Sequence, residues 1–420
     1  MSRFSVTYFA ESPKGLQHAA QVIAGEQSTG TFVRLPQETD ELRARSGARI
    51  ESIEVTDRVS TPSLPSRTRG ETYEQGHIRI SWPLDNTGPS IPNLLTTIAG
   101  NLFELADLSA LRLEDVDLPQ VFAKACPGPQ FGAAGTRRLV GIDGPLIGTI
   151  IKPSIGLSAD GTADLVDQLA QAGIDFIKDD ELQANGAYCP LRDRVAAVMP
   201  VIERHAQRNG KKVMYAFNIT DELDVMLRNA EMVEKAGGTC IMVSLFSVGL
   251  TGLRALRERV ALPIHGHRAG WGLYSRSPHI GISFAVWQKL WRLAGADHLH
   301  VNGLANKFTE ADAVVAAAAR AVQQPVCAEG GPPHLAMPVY SSGQTAWQLG
   351  PARDILGNDD FIFCAGGGII SHPDGAGGGV RALRQAAAAA RDGVPVQEAA
   401  KDAPELAAAL RTFAQPDIQL

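Results

Sequence analysis

Residues Gly173 to Glu181 read GIDFIKDDE, an apolar run that ends in one lysine and three carboxylates. The run Ile174 to Ile177 predicts a short buried strand, where ionisable groups are costly unless something pairs them. Because side chains alternate along a strand, Lys178 and Asp180 point the same way, and Glu181 can turn inward just past the strand end. Two carboxylates with open positions suit Mg²⁺. The stretch therefore predicts either a magnesium site or a lysine that is salt-bridged to acids at a strand-to-helix turn.

Further apolar strands alternate with helical patterns from about residue 145 onward. The predicted strands are Leu146 to Ile151, Ile174 to Ile177, Val213 to Phe217, Cys240 to Leu245, Leu262 to His265, His298 to Val301, Met337 to Tyr340 and Phe361 to Ala365. The helical stretches include Ala163 to Ala172, Val195 to Gln207, Glu222 to Lys235, Ala311 to Val322 and Val380 to Arg391. Eight such units in about 250 residues predict a (β/α)₈ TIM barrel. The alternative is a doubly wound open sheet, but the GxGxxG turn that usually follows its first strand is absent from the sequence.

The residues before the barrel show a different pattern. Strand-like runs at Phe4 to Phe9, Ile50 to Val59, His77 to Trp82 and Leu111 to Leu118 surround helical runs at Leu16 to Gly25 and Asn93 to Leu105. The order strand-helix-strand-strand-helix-strand predicts a ferredoxin-like α+β domain. A Pro- and Gly-rich stretch, Pro127 to Gly135, marks the boundary. We therefore predict an N-terminal domain over residues 1–125, and a barrel with a C-terminal helical tail over 126–420.

Composition narrows the class of protein. The chain has 420 residues, a net charge of −6 and 20% charged residues, which argues against a nucleic-acid or membrane surface and favours a small-molecule enzyme. Its five cysteines are widely spaced and form no CxxC pair, as expected in a reducing cytosol. Residues 1–10 lack the apolar core of a signal peptide, and nowhere do eighteen apolar residues run together. These features predict a cytoplasmic protein.

Chemically active residues gather where the predicted barrel strands end. These positions are Lys152, Lys178 with Asp180 and Glu181, Asn218, His267 with Arg268, His300, Ser341, and Gly366 to Gly368. Active sites of TIM barrels are built at the carboxyl ends of the strands, so the coincidence predicts one here.

Two loops and two histidine pairs allow further interpretations. Glycines in Ser341 to Gly343 and Gly366 to Gly368 could let backbone N–H groups approach a phosphate, or could form ordinary flexible turns. The pairs His265/His267 and His298/His300 make zinc conceivable, but the oxygen-rich strand end favours Mg²⁺, and each outer histidine could instead be a core residue. Lys307, in the loop after the sixth strand, could close over a substrate or remain a surface lysine.

With these residues placed, the chain resembles the large subunit of ribulose-bisphosphate carboxylase, and more closely the RuBisCO-like proteins. The resemblance covers nearly the whole chain. It is carried by Glu26-Gln27-Ser28-Thr29-Gly30-Thr31, Gly100-Asn101, Gly148 to Ser158 (GTIIKPSIGLS), Asp175 to Glu181, Arg192-Asp193-Arg194, His265 to Arg268, His298 to His300, Pro338 to Gly343, and Gly366 to Pro373.

The resemblance implies a role for each matching residue. Lys178 matches the lysine that family enzymes carbamylate with CO₂, and Asp180 and Glu181 match the carboxylates that complete the Mg²⁺ site. Lys152 matches the acid/base at the substrate's enediol, and Lys307 falls at the loop-six lysine. The catalytic group implied is Lys152, Lys178, His267 and Lys307, and the substrate and phosphate contacts are His267, Arg268, His300, Ser341, Gly343, Gly366 and Gly367. Glu26, Thr31 and Asn101 match residues lent by a partner subunit, which implies a homodimer with shared active sites.

Departures from the family pattern argue against an active carboxylase. Ser154 stands where carboxylases have a second lysine, Phe32 replaces a tryptophan and Ser342 a glycine, and loop six, Gly303 to Phe308, lacks the Gly-Lys-x-x-Gly pattern. We therefore expect a Mg²⁺-dependent enzyme that forms an enediolate from a phosphorylated keto compound. Decarboxylation or carbon-carbon cleavage of a phosphorylated β-keto acid, such as 3-oxo-isoapionate 4-phosphate, is favoured. The alternatives are enolisation of a diketo-methylthiopentyl phosphate, isomerisation of methylthioribulose phosphate, and a non-catalytic binding protein.

Overall fold

The structure, a computed structural model, describes residues 2–30 and 35–420. These residues form two units. The N-terminal unit comprises Met1–Cys126, Gly270–Leu293 and Pro325–His334, and the barrel unit comprises Pro127–Ala269, Ala294–Gln324 and Leu335–Leu420.

The elements follow one another as strands and helices along the whole chain. The strands are β1 (Arg3–Ser12), β2 (Arg49–Val59), β3 (Tyr73–Pro83), β4 (Ala110–Asp117), β5 (Leu146–Ile150), β6 (Phe176–Lys178), β7 (Met214–Asn218), β8 (Cys240–Ser244), β9 (Ile264–His267), β10 (Ile280–Ile282), β11 (His298–Asn302), β12 (Met337–Tyr340) and β13 (Ile362–Cys364). The helices are α1 (Leu16–Glu26), α2 (Asp40–Ser46), α3 (Ile91–Ala99), α4 (Gln120–Lys124), α5 (Gly132–Val140), α6 (Ala159–Gln171), α7 (Leu191–Asn209), α8 (Leu223–Lys235), α9 (Leu245–Arg259), α10 (Trp271–Ser275), α11 (Phe284–Ala294), α12 (Asp312–Val322), α13 (Ala346–Leu356), α14 (Gly367–Ile370), α15 (Gly375–Arg391), α16 (Val396–Ala399) and α17 (Pro404–Thr412).

The N-terminal unit is built on a five-stranded sheet in the order β10-β4-β1-β3-β2. Buried residues alternate along β1, as a strand covered on one face requires. Helix α1 buries one face through Leu16, Ala19, Ala20 and Ile23. The chain order β1-α1-β2-β3-α3-β4 confirms the predicted ferredoxin-like arrangement.

Two details of this unit differ from the prediction. The helix expected over Asn93 to Leu105 ends at Ala99, because the backbone of Gly100 leaves the helical region and a 3₁₀ turn, Asn101–Glu104, follows. A Cβ on Gly100 would lie 2.4 Å from the carbonyl oxygen of Thr96, so only glycine fits this break. Strand β10, which pairs parallel with Leu111–Leu113 of β4, was not predicted.

In the barrel unit, eight parallel strands close in the order β11-β12-β13-β5-β6-β7-β8-β9, which confirms the TIM barrel and excludes the open sheet. Each predicted strand is present, with its ends shifted by up to two residues. For example, β6 begins at Phe176, where pairing with Gly148 of β5 and Met214 of β7 starts. Phe176 fills the interior, and a Cβ on Gly148 would approach its ring to 3.0 Å.

Because the barrel strands are parallel, their carboxyl ends and the loops that follow them meet at one rim. Among the described residues, no helix is both long and apolar enough to cross a membrane.

Candidate active site

The acids that follow β6 lie in two places, the interior of the barrel and its rim. Asp179 is fully buried and accepts hydrogen bonds from Arg194 Nε (3.1 Å), the hydroxyl of Tyr215 (2.5 Å) and the backbone N–H of Asn218 (2.8 Å). Burial raises the pKa of Asp179, although the charge of Arg194 opposes this shift. The Asn218 amide also donates to the carbonyl oxygens of Asp180 and Glu181, each at 3.1 Å. Asp179 therefore fixes the turn that presents the next two acids.

Asp180 faces Lys152, which follows β5. The ammonium group of Lys152 donates to Asp180 Oδ2 at 2.6 Å and to the hydroxyl of Ser154 at 2.8 Å. The other carboxylate oxygen of Asp180 accepts the backbone N–H of Leu182 at 3.1 Å. Ser154, which stands where carboxylases have a second lysine, therefore orients Lys152 together with Asp180.

Lys178 and Glu181 form the second ion pair of this cluster. Lys178 is buried, donates to the carbonyl oxygen of Asp179 at 2.9 Å, and has its amine nitrogen 3.7 Å from Glu181 Oε2. The same oxygen lies 3.5 Å from His267 Nε2. Burial acts to raise the pKa of Glu181, but the charge of Lys178, hydrogen bonds to the carboxylate and the charge of Lys152 together lower it.

This donor set fits Mg²⁺ only if Lys178 contributes an oxygen. Within residues 2–30 and 35–420, no three His, Cys, Asp or Glu side chains are arranged to hold a metal ion. Two acids, Asp180 and Glu181, do converge on the two lysines, and a carbamate on Lys178 would add the third hard ligand that such an ion prefers. In the unmodified protein, the lysine–acid ion pairs that formed the alternative prediction are the ones observed.

The histidines pack against one another inside the barrel mouth. The ring of His300 lies 4.8 Å from that of His265 and 4.4 Å from that of His267. Because His265 Nε2 and His300 Nε2 are 2.7 Å apart and hydrogen-bond each other, these nitrogens are not open to zinc. His300 Nδ1 bonds the hydroxyl of Ser341 at 3.0 Å. Burial lowers the pKa values of His265, His267 and His300 well below the ordinary range, so the rings are neutral near pH 7.

Arg268 already has a partner in this structure. Its guanidinium forms a buried ion pair with Glu310, and Asn302 donates a 3.1 Å hydrogen bond to the same carboxylate. Neither Glu310 nor Asn302 was predicted as a site residue. Glu310 lies in a loop, where no periodic pattern guides the prediction. Asn302 ends a barrel strand, and that position is the signal that could have identified it.

The remaining predicted groups lie in the loops after β11, β12 and β13. Ser342 and Gly343 have φ of 70° and 78°, a left-handed turn that suits glycine at the second position. Gly366 precedes α14. Gly368 packs so closely on the loop after β12 that a Cβ would lie 2.3 Å from the carbonyl oxygen of Gln344. Lys307 is exposed, with its amine nitrogen 5.3 Å from the centre of the Phe308 ring.

Two of the three residues expected from a partner subunit lie in the N-terminal unit. Glu26 ends α1 and Asn101 begins the 3₁₀ turn, both in the N-terminal unit. Thr31, like Phe32, lies outside the described residues.

Comparison with known proteins assigns the family. The family model for the ribulose bisphosphate carboxylase large chain, catalytic domain, matches residues 133–413, and the model for its N-terminal domain matches residues 5–122. The chain belongs to the RuBisCO large-chain family. The predicted resemblance is confirmed.

Two relatives and one solved structure within the RuBisCO family are similar to this chain over nearly its whole length. A 3-oxo-isoapionate-4-phosphate transcarboxylase/hydrolase of Xanthobacter autotrophicus is 54% identical over 409 residues, which are 97% of this chain and 98% of that protein. A 3-oxo-isoapionate-4-phosphate decarboxylase of Rhizobium etli is 42% identical over 412 residues, 97% of this chain and 98% of that protein. The crystal structure of a rubisco-like protein from Burkholderia fungorum is 42% identical, superposes with a TM-score of 0.92, and covers 98% of this chain and 100% of that chain.

Proposed function

We propose that this chain is an enzyme that breaks a carbon–carbon bond of a phosphorylated β-keto acid, most simply by decarboxylating 3-oxo-isoapionate 4-phosphate. The observation that carries the proposal is the joined cluster of Lys152, Asp180, Lys178, Glu181 and His267 at the barrel rim. The relatives support the substrate, because two proteins 54% and 42% identical over 97% of the chain are named for it.

Family membership implies, in general, a mechanism with Mg²⁺ and a carbamylated lysine. Lys178 as its carbamate, Asp180 and Glu181 would hold the ion. When bound, Mg²⁺ supplies Lewis acidity that stabilises negative charge on the substrate's oxygens.

Lys152 is the group that we assign to proton transfer. The bond between the carboxyl carbon and its neighbour breaks, CO₂ leaves, and the electron pair stays on the neighbouring carbon, shared with the keto oxygen as an enediolate. The ammonium group of Lys152 then donates a proton to that carbon and is left as the neutral amine. Asp180 and Ser154 hold its amine in one orientation, at 2.6 Å and 2.8 Å. A positioned acid of this kind is worth roughly 10² to 10⁴ in rate.

The other predicted residues bind and orient the substrate. His267, neutral because it is buried, hydrogen-bonds the substrate's oxygens without adding charge. His300, whose two ring nitrogens bond His265 and Ser341, orients the Ser341 hydroxyl beside the substrate. The backbone N–H groups of the glycine turns at Gly343, Gly366 and Gly367 bind its phosphate, and Lys307 closes over it.

We also propose a cytoplasmic homodimer in which Glu26, Thr31 and Asn101 of one subunit complete the site of the other. Large apolar side chains support this, because Ile155, Leu182 and Phe308 are exposed in the rim loops of the barrel unit, where a partner would cover them. The five cysteines are free and buried, in keeping with a reducing compartment.

The test is to incubate the purified protein with 3-oxo-isoapionate 4-phosphate, Mg²⁺ and bicarbonate, and to measure released CO₂ and the phosphorylated product. Stoichiometric CO₂ supports decarboxylation. Substrate cleavage without CO₂ would support the hydrolytic chemistry that is also named for the Xanthobacter relative. Turnover of the methylthio-sugar phosphates alone would replace the proposal with an enolase or isomerase.

Two variants connect the activity to the cluster. Lys178→Ala should abolish turnover without unfolding the chain, because it removes the amine on which the carbamate would form. Lys235→Ala, which removes an exposed lysine of α8, should leave turnover unchanged. Activity retained in Lys178→Ala would remove the carbamate from the mechanism.

A further inference from the structure

Arg268, one of the predicted substrate and phosphate contacts, is paired with an acid in this structure. Arg268 Nη2 contacts Glu310 Oε2, and Arg268 Nη1 lies 3.5 Å from Glu310 Oε1, so the guanidinium meets both carboxylate oxygens. The two side chains are 9% and 2% exposed. Their formal charges therefore cancel inside the protein, where solvent screens them least.

Glu310 is held in place by more than Arg268. The side-chain amide of Asn302 donates to Glu310 Oε2 at 3.1 Å, and that of Asn306 donates to the Glu310 carbonyl oxygen at 3.0 Å. Asn302 takes up a left-handed conformation, φ 75°, at the end of β11. Glu310 is thus a fixed counter-ion of Arg268 rather than a surface carboxylate that could swing into solvent.

The polar neighbours of this ion pair add no charge. Asn302, which donates to Glu310, is uncharged, and so is Ser341, whose hydroxyl bonds His300 Nδ1 at 3.0 Å. Lys152 and Lys178 lie beside Asp180 and Glu181. We call the set of Arg268, Glu310 and Asn302 the arginine end of the site. Its net charge is zero.

The glycine turn after β12 differs in charge from the arginine end. The turn Ser341 to Gly343 approaches loop six, since a Cβ on Gly343 would lie 4.0 Å from the backbone nitrogen of Lys307. Lys307 is exposed and adds a positive charge beside this turn, with its amine nitrogen 5.3 Å from the centre of the Phe308 ring. A dianionic phosphate is therefore favoured here and opposed at the arginine end, where it would face the Glu310 carboxylate or have to displace it.

We propose that Glu310 restricts this site to substrates with a single phosphate. The phosphate binds at the glycine turns, and the arginine end binds an uncharged, hydroxyl-bearing end of the substrate. This inference deepens the proposed function and rests on its phosphorylated keto substrate. It assigns specificity to Glu310, which discriminates against bisphosphates by occupying Arg268.

The test compares two ligands that differ by one phosphate. Calorimetry would give the dissociation constants of ribulose 5-phosphate and ribulose 1,5-bisphosphate for the full chain with Mg²⁺ and bicarbonate. We expect the wild type to bind the bisphosphate no more tightly than the monophosphate. In Glu310→Gln, which keeps the hydrogen-bonding shape but loses the charge, the bisphosphate should bind about tenfold more tightly and the monophosphate with little change.

Two further variants localise the effect. Arg268→Met in the Glu310→Gln background should remove the gain, because the freed guanidinium is its source. Glu258→Gln, an exposed acid of α9, should leave both dissociation constants unchanged.

Tenfold tighter binding of the bisphosphate by the wild type would overturn the proposal without any variant. An unchanged bisphosphate affinity in folded Glu310→Gln would overturn it as well. Binding is measured apart from turnover, so the two proposals can fail separately. If the protein shows the predicted ratio of dissociation constants but does not decarboxylate the substrate, only the proposed function is wrong. Decarboxylation by a protein that prefers the bisphosphate would remove only this inference.

Discussion

Asp179 and Asp180 are adjacent in the chain but lie in two regions with different tasks. Asp179 belongs to the barrel interior, where Arg194, Tyr215 and a backbone N–H surround it. Asp180 belongs to the rim, where it meets the amine of Lys152. Successive side chains at a strand end point to opposite sides, so one stretch supplies both an acid of the barrel interior and an acid of the proposed active site. The comparison predicts that substitutions in the interior reduce stability and that those at the rim reduce activity.

The largest effect is expected at the rim. Asp180→Asn should lower kcat/KM by about 10³-fold or more, because it removes a proposed metal ligand and the charge beside Lys152. Its free energy of unfolding should change little, since the amide can keep the hydrogen bond to Leu182. Steady-state kinetics and urea unfolding measure the two quantities. Asp164→Asn, on the exposed side of α6, is the matched control, and a loss of stability that accounted for the lost activity would break the comparison.

The next effect is expected in the interior. Arg194→Met leaves the Asp179 carboxylate buried without its cation, which typically costs about 3–5 kcal/mol. Urea unfolding should show this loss, while folded protein at low temperature retains activity. Arg192→Met, two residues earlier on the exposed side of α7, should be nearly neutral. Equal stabilities of the two variants would mean that Asp179 does not depend on Arg194.

The candidate site residues after β6 could be predicted from the sequence because a regular strand positions them. An apolar run followed by acids, repeated within eight similar units, places Lys178, Asp180 and Glu181 at a strand end before any pairing is known. The same reasoning placed Lys152 and His267. The family resemblance then added roles that spacing alone leaves open.

Loop six and β10 could not be predicted in the same way. The pairing of Glu310 with Arg268 depends on a left-handed Asn302 and on side-chain hydrogen bonds within a loop that has no periodicity. The three residues of β10 pair with Leu111–Leu113, far earlier in the chain, and three residues carry too little pattern to specify that partner. Non-local contacts of this kind become visible only once the chain is folded.

The pH dependence of the free energy of unfolding provides a further test of the barrel interior. Burial lowers the pKa of His298 to about 3, whereas the unfolded value is about 6.5. Below pH 6.5 the unfolded chain therefore binds a proton that the folded chain does not, and stability falls as pH falls toward 3. The slope from this residue is about 1.4 kcal/mol per pH unit, or about 2 kcal/mol between pH 6.5 and 5. His298→Gln should lose this contribution in urea unfolding, and parallel curves for the two proteins would contradict the assignment.

The smallest effect is expected in loop six, where the rim is held by side-chain bonds instead of a sheet. The Asn306 amide donates to the carbonyl oxygens of Gly303 (2.9 Å) and Glu310 (3.0 Å) and accepts the Phe308 N–H (2.8 Å). Removing these partly solvated bonds in Asn306→Ala should cost about 1–2 kcal/mol, mostly as local opening. Hydrogen exchange of residues 303–310 should accelerate and KM should rise, with kcat less affected. Thr309→Ala, an exposed neighbour, should change neither, and unchanged exchange in Asn306→Ala would show that the loop is ordered by something other than this residue.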